Sequence, residues 1–182
     1  MASSAPERRR PGLARHLLAV GLLPFTVTVV APAILVAAYG LEPGWALPTA
    51  LAALLVTAGA AAILAGLRLA QQTILFFRTV GEGTLAPWDP TRRLVLRGPY
   101  LPVRNPMITG VGLILMGEAL VLGSAPIVLE LGLFILANAT YIPLIEEPGL
   151  ARRFGEEYEL YRRGVPRWIP RRSPWDSGSL RG

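Results

Sequence analysis

The sequence has no cysteine, no lysine and a single histidine, His16. Without thiols there is no disulfide framework, no CxxC redox pair, no thiolate zinc site and no cysteine to carry a palmitoyl or prenyl group. Without lysine there is no Walker A phosphate loop and no pyridoxal Schiff base. One histidine cannot build an HExxH metal site, and a Ser-His-Asp triad would have to rely on His16, at the edge of an apolar run. Charge is scarce too: 16% of the 182 residues are charged, whereas 52% are apolar. All 18 basic residues are arginine and the net charge is +6. A mean hydropathy of +0.46 is too high for an ordinary soluble domain.

The gaps between charges set the architecture. No charged residue lies between His16 and Leu41, or between Pro43 and Leu67. Each stretch exceeds the roughly 20 apolar residues that cross a bilayer. They predict helix one near His16–Tyr39 and helix two near Trp45–Phe77, joined at Gly40-Leu41-Glu42-Pro43-Gly44. Helix one is too long for a signal-peptide core and is followed at once by a second span, so it reads as a signal anchor. A second apolar region, from Met107 to Ile145, is divided by Gly123-Ser124-Ala125-Pro126 into spans near Pro106–Leu122 and Pro126–Ile145. The fold expected is all-α and polytopic: four transmembrane helices as two hairpins, plus a C-terminal amphipathic helix. Residues 1–15 form a basic tail, 16–77 the first hairpin, 78–170 a core that ends in the amphipathic helix, and 171–182 a disordered tail.

Arginine placement orients the chain. Arg8, Arg9, Arg10 and Arg15 precede helix one, Arg78 to Arg104 lie between the hairpins, and Arg152 to Arg172 follow the last span. Neither short inter-helix turn holds an arginine, which puts both termini and the central loop on the cytoplasmic side of a bacterial-type inner or cell membrane. Arginines flanking spans are explained by orientation and anionic headgroups, so membrane lipids are expected partners and nucleic acid is not. Glu118 and Glu130 fall close to the outer turn, within about 8 Å at 1.5 Å per residue, and read as interfacial. Arg68, Gln71 and Gln72 read as snorkelling side chains.

The cytoplasmic side carries the unusual residues. Gly81-Glu82-Gly83-Thr84-Leu85-Ala86-Pro87-Trp88-Asp89-Pro90 is a turn-rich connector. Asn105 followed by Pro106 predicts the capped start of helix three, whose free N–H groups suit a carboxylate or phosphate beside Arg104. Glu146 and Glu147 leave the last span together, and such adjacent carboxylates require a cation, either Arg104 or a ligand. Leu150, Phe154, Tyr158 and Tyr161 share one face of an amphipathic helix that lies on the membrane or on the central loop.

Gly98-Pro99-Tyr100, Val103-Arg104-Asn105-Pro106-Met107 and Gly110 resemble the cytosolic signature of the isoprenylcysteine carboxyl methyltransferase family, which is related to the phospholipid N-methyltransferases. So does Glu146-Glu147 followed by Leu150, Phe154-Gly155, Tyr158, Tyr161 and Val165-Pro166. The resemblance spans about residues 81–170. It implies an integral membrane methyltransferase that uses S-adenosylmethionine, held by Leu94, Val95, Tyr100, Asn105, Pro106, Met107, Ile108 and Glu146. Arg104 and Glu147 are the candidate catalytic residues, no metal is implied, and no residue is assigned to the acceptor.

Many relatives have histidine at the position of Asn105 and tyrosine at that of Ile108. Eukaryotic prenylcysteine enzymes place an arginine four residues before the acid, where this chain has Ile142. The expected acceptor is therefore lipophilic or lipid-linked, with a carboxylate as the simplest case, reaching the site between helices two and three. Phosphatidylethanolamine-type N-methylation is the alternative. A nicotinamide-dependent membrane reductase and a non-enzymatic membrane scaffold are the alternatives of another class.

Overall fold

The computed structural model describes residues 21–76, 94 and 96–176. Val95, the 81–90 connector, Arg78, Arg92, Arg93 and the N-terminal segment with His16 lie outside the described residues. All elements among the described residues are helical. Helix α1 consists of wide π-helical turns over Gly21–Val30 followed by α-helical turns over Ala31–Tyr39. Pro24 sits within the wide turns and Pro32 at the start of the regular ones; each lacks the N–H that regular helix pairing needs.

Helix α2 covers Thr49–Phe76. It starts later than Trp45, the position expected from hydropathy. Gly44, Trp45 and Ala46 take positive φ angles of 70°, 60° and 51°, which a right-handed helix cannot incorporate. Helix α3 covers Pro106–Leu122 with proline in its first turn, as the Asn105-Pro106 pair predicted. Asn105 does not cap it with its side chain, however.

Helix α4 forms one run over Ala125–Phe154. Ala125–Tyr141 is α-helical, Ile142–Glu146 is a π-helical turn, and Glu147–Phe154 is α-helical again. The expected exit at Glu146-Glu147 is thus a change of pitch. Pro143 cannot donate to the preceding turn, and the extra residue rotates everything after it by about 100°. Gly155, at φ 56°, then separates α4 from α5, Glu156–Gly164. The single amphipathic helix expected over residues 150–163 is therefore two helices joined at a glycine.

Helices α2 and α3 make the most extensive pairing. Gly59 and Gly66 of α2 face Gly117 and Gly110 of α3, in antiparallel order and seven residues apart in each helix. A Cβ on Gly59 would come within 2.7 Å of the Gly117 carbonyl oxygen, and one on Gly66 within 2.6 Å of that of Gly110. Small residues at such spacing let two backbones touch where lipid supplies no hydrophobic drive. This contact brings the two backbones together on the side where lateral access was expected.

Val111, Leu115, Ala119 and Ile127 form a small buried core, packed by Val27, Leu35, Val36 and Phe134. Most other apolar side chains point outward, including Leu51, Leu54, Leu64, Leu129, Leu133, Leu136 and Leu144. Helices α2 and α4 are long and apolar enough to cross a membrane, and only 11% of the most apolar window of each is buried. A soluble core helix would be mostly buried; these faces match lipid. Two shorter apolar helices, Leu23–Tyr39 and Pro106–Leu122, accompany them.

Substituting Gly117→Leu should lower the thermal midpoint of the purified protein in detergent, as expected for overpacking that costs about 1–3 kcal/mol or more. An unchanged midpoint would show that the glycine contact does not hold α2 to α3.

Candidate functional site

The start of α3 and the end of α4 meet around one carboxylate. Glu147 is only 5% exposed, and the arginine that meets it from the start of α3, Arg104, is 9% exposed. Arg104 Nη1 donates to Glu147 Oε1 at 2.8 Å. Arg167, beyond α5, donates from Nε to Oε1 at 2.7 Å and from Nη2 to Oε2 at 2.9 Å. This two-pronged pairing is the strong form of a guanidinium–carboxylate bond. Burying one carboxylate between two arginines is favourable only when its hydrogen bonds are met, and both of its oxygens are engaged.

Backbone contacts hold the same junction. The Arg104 N–H donates to the Pro166 carbonyl at 2.9 Å. Asn105 Nδ2 donates to the Arg167 carbonyl at 3.3 Å, so its side chain ties α3 to that segment instead of capping its own helix. Thr109 Oγ1 reaches the Trp168 carbonyl at 3.3 Å. Behind the ion pair, Tyr158, Tyr161 and Val165 are buried under Leu94, Leu96, Leu150, Phe154 and Trp175. The Leu150–Phe154–Tyr158–Tyr161 face therefore packs against the central loop. The Tyr161 hydroxyl donates to the Tyr100 carbonyl at 2.7 Å.

The segment after α5 joins this layer. Arg171 N–H donates to the Pro102 carbonyl at 2.9 Å, and Trp175 N–H to the Leu101 carbonyl at 3.1 Å. The Trp175 ring lies 5.7 Å from Tyr161. Ordered packing thus runs past residue 171, where a disordered tail was expected to begin.

Both sequence blocks converge here. Arg104 and Glu147 touch, Tyr100 lies beside the Tyr161 hydroxyl, and Asn105, Pro106 and Met107 open α3. Leu94 packs in the tyrosine layer, and Ile108 borders a cavity between α3 and α4. Glu146 is half-buried and takes no arginine among the described residues. Sequence reasoning missed Arg167, Trp168 and Trp175. The adjacent carboxylates Glu146 and Glu147 signalled a need for cations, but nothing in the local pattern singled out Arg167.

Burial pushes the Tyr100 hydroxyl well above the usual tyrosine value, with the Tyr161 hydroxyl and the Glu146 carboxylate adding to the effect. Tyr158 and Tyr161 are raised as well, chiefly by burial. All three therefore stay protonated at neutral pH and serve as hydrogen-bond donors rather than bases. Among the described residues no group of three or more His, Cys, Asp or Glu side chains could hold a metal ion.

Binding groups remain unused around this junction. The buried Arg104 Nε has no hydrogen-bond partner among the described residues. The first amides of α3, at Met107 and Ile108, receive no side-chain cap and carry the positive end of the helix dipole. A family model described as phospholipid methyltransferase matches residues 49–157. The chain belongs to the phospholipid methyltransferase family. The matched span holds α2, α3, α4 and the Arg104–Glu147 pair of this methyltransferase, while Arg167 lies beyond it. No curated protein and no solved structure matches the chain.

Glu147→Gln should leave two arginines facing a neutral amide and destabilise the fold by about 3–5 kcal/mol, the range for a broken buried ion pair. Denaturant unfolding in micelles measures it, and a loss no larger than that of a surface Glu157→Gln control would contradict the clamp. Because the tyrosines are raised, methyl-transfer rates should show no tyrosine ionisation between about pH 7 and pH 9, below the ordinary tyrosine value of about 10. A rate step in that window, abolished by Tyr100→Phe, would contradict this assignment.

Proposed function

We propose that this methyltransferase moves a methyl group from S-adenosylmethionine to a lipophilic acceptor at the cytoplasmic membrane face, with all four apolar helices crossing the bilayer and both termini cytoplasmic. The observation that carries this reading is the meeting of the two sequence blocks at the start of α3, inside the family-matched span. The groups there fit the cofactor. Its carboxylate suits the free Arg104 Nε and the Met107 and Ile108 amides. Its amino group or ribose hydroxyls suit Glu146, and the Tyr100 ring suits the sulfonium or adenine. Leu94 and Val95 complete the proposed contacts.

When bound, the cofactor supplies an electrophilic methyl whose thioether leaves readily. The protein's task is then alignment and exclusion of water, and positioning alone is worth up to roughly 7–11 kcal/mol. Arg104 acts here as a cofactor contact. Glu147 acts as the group that fixes Arg104 in place, because both of its oxygens are engaged by arginine.

With the tyrosines held protonated and Glu147 paired, a base for the acceptor is scarce. A carboxylate acceptor needs none and is the leading choice. The second reading, N-methylation of an amine-bearing phospholipid, is favoured by the family's description and would leave Glu146 as the group placed to take a proton.

Glu146→Ala should weaken S-adenosylmethionine binding by roughly tenfold or more, as for a lost charge-assisted hydrogen bond of about 1.5–3 kcal/mol, with the thermal midpoint retained. Calorimetry on the detergent-solubilised protein checks it. Equal affinity of the variant and the parent would overturn the cofactor placement.

A further inference from the structure

Helix α3 has three glycines before its outer end, and two are consumed by contact with α2. Gly112 is different: a Cβ placed there meets no atom within 4 Å. It lies on the wall of a cavity of about 350 Å³ between α3 and α4, with Ile108, Thr109, Phe134, Ile135, Asn138 and Trp168 around it. No packing need explains a side-chain-free position here. Its effect is to leave room.

The cavity joins the candidate cofactor end of α3 to the lipid-facing side of α4. Ile108 is one turn from Arg104 and Asn105, at the cytosolic end. Ile135 is 55% exposed and forms the outer rim. Asn138 lies eight residues before Glu146, about 12 Å toward the membrane interior. Its Nδ2 donates to the Phe134 carbonyl at 2.8 Å, which uses one of its two N–H groups. Among the described residues its other N–H and its amide oxygen make no further hydrogen bond. Thr109 already donates to carbonyl oxygens and can still accept. Ligand sites run from roughly 300 to 1,000 Å³ and combine apolar walls with a few fixed polar groups. A volume near the lower bound admits one chain, not a whole diacyl lipid.

We propose that this groove holds a single aliphatic chain of the methyl acceptor, with Gly112 setting its width and Asn138 hydrogen-bonding an ester carbonyl next to that chain. The inference rests on the methyltransferase reading of the adjoining site and, within it, on the aminophospholipid acceptor. The tightly knit α2–α3 face leaves α3–α4 as the side from which such a chain reaches Arg104 and Glu146.

The test uses the full chain in nanodiscs with phosphatidylethanolamine bearing one diazirine-labelled palmitoyl chain, photolysed and mapped by mass spectrometry. Adducts should concentrate in peptides holding Ile108–Gly112 and Phe134–Asn138 and should be competed away by excess unlabelled lipid. Gly112→Leu should reduce them at least about tenfold, the lower end of what one or more methylenes cost in a fitted pocket, with Gly112→Ala intermediate. The open space at Gly112 predicts unchanged melting for both variants; if the leucine variant melts early, the alanine variant decides. Non-saturable labelling shared with the exposed Leu51, Leu54 and Leu64 would overturn the proposal, as would adducts that Gly112→Ala and Gly112→Leu leave untouched. Cofactor binding is read in parallel by calorimetry. Groove adducts without cofactor binding would sink the methyltransferase reading and keep the groove, and the reverse would sink the groove alone.

Discussion

One buried carboxylate holds one end of this helical bundle together. Glu147 emerges from α4 just after its widened turn and meets Arg104 from the start of α3 and Arg167 from the segment beyond α5. Three stretches distant in sequence are thereby fixed to one another. The arrangement is costly to disturb, since removing the carboxylate would leave two guanidinium groups with nothing to neutralise them. It also decides what the site can do. An Arg104 held through Nη1 by Glu147 and through its backbone by Pro166 has its Nε fixed in direction near the positive end of α3. Fixed donors of that kind suit a reaction in which orientation supplies most of the acceleration.

Within the membrane a different force organises the chain. Lipid offers no hydrophobic reason for two apolar helices to associate, so close backbone approach at Gly59–Gly117 and Gly66–Gly110 takes its place. This packs α2 tightly against α3 and leaves a cavity on the α3–α4 side. The widened turn at Ile142–Glu146 links the two regimes. It lets a single long helix present leucines to lipid along Leu129–Leu144 and then deliver Glu147 inward.

Much of this was legible in the sequence. The charge-free runs placed the apolar helices, Asn105-Pro106 marked the start of α3, and the Glu146-Glu147 pair demanded a cation. Boundaries failed where backbone effects outweigh hydropathy. Trp45 and Ala46 are apolar yet left-handed, and Pro143 widens a turn that an apolar pattern reads as continuous. The side-chain cap expected of Asn105 is absent, and its amide N–H donates to a carbonyl 62 residues away. Arg167 was hidden for a similar reason. It lies in a proline-rich segment that reads as an interfacial anchor, and its role depends on a tertiary contact that local pattern does not encode. The carbonyl and carboxylate partners of these groups belong to separate elements, so only the folded chain reveals them.

The central claim is that the junction around Arg104, Asn105 and Glu146 supports methyl transfer to a lipophilic acceptor. The most direct measurement is incubation of the purified protein and membrane extract with methyl-labelled S-adenosylmethionine, followed by fractionation of the lipids. The account predicts label in a lipophilic product: base-labile if the acceptor is a carboxylate, and in the headgroup if it is an aminophospholipid. A folded protein that binds no cofactor and transfers no label to any lipid fraction would contradict it.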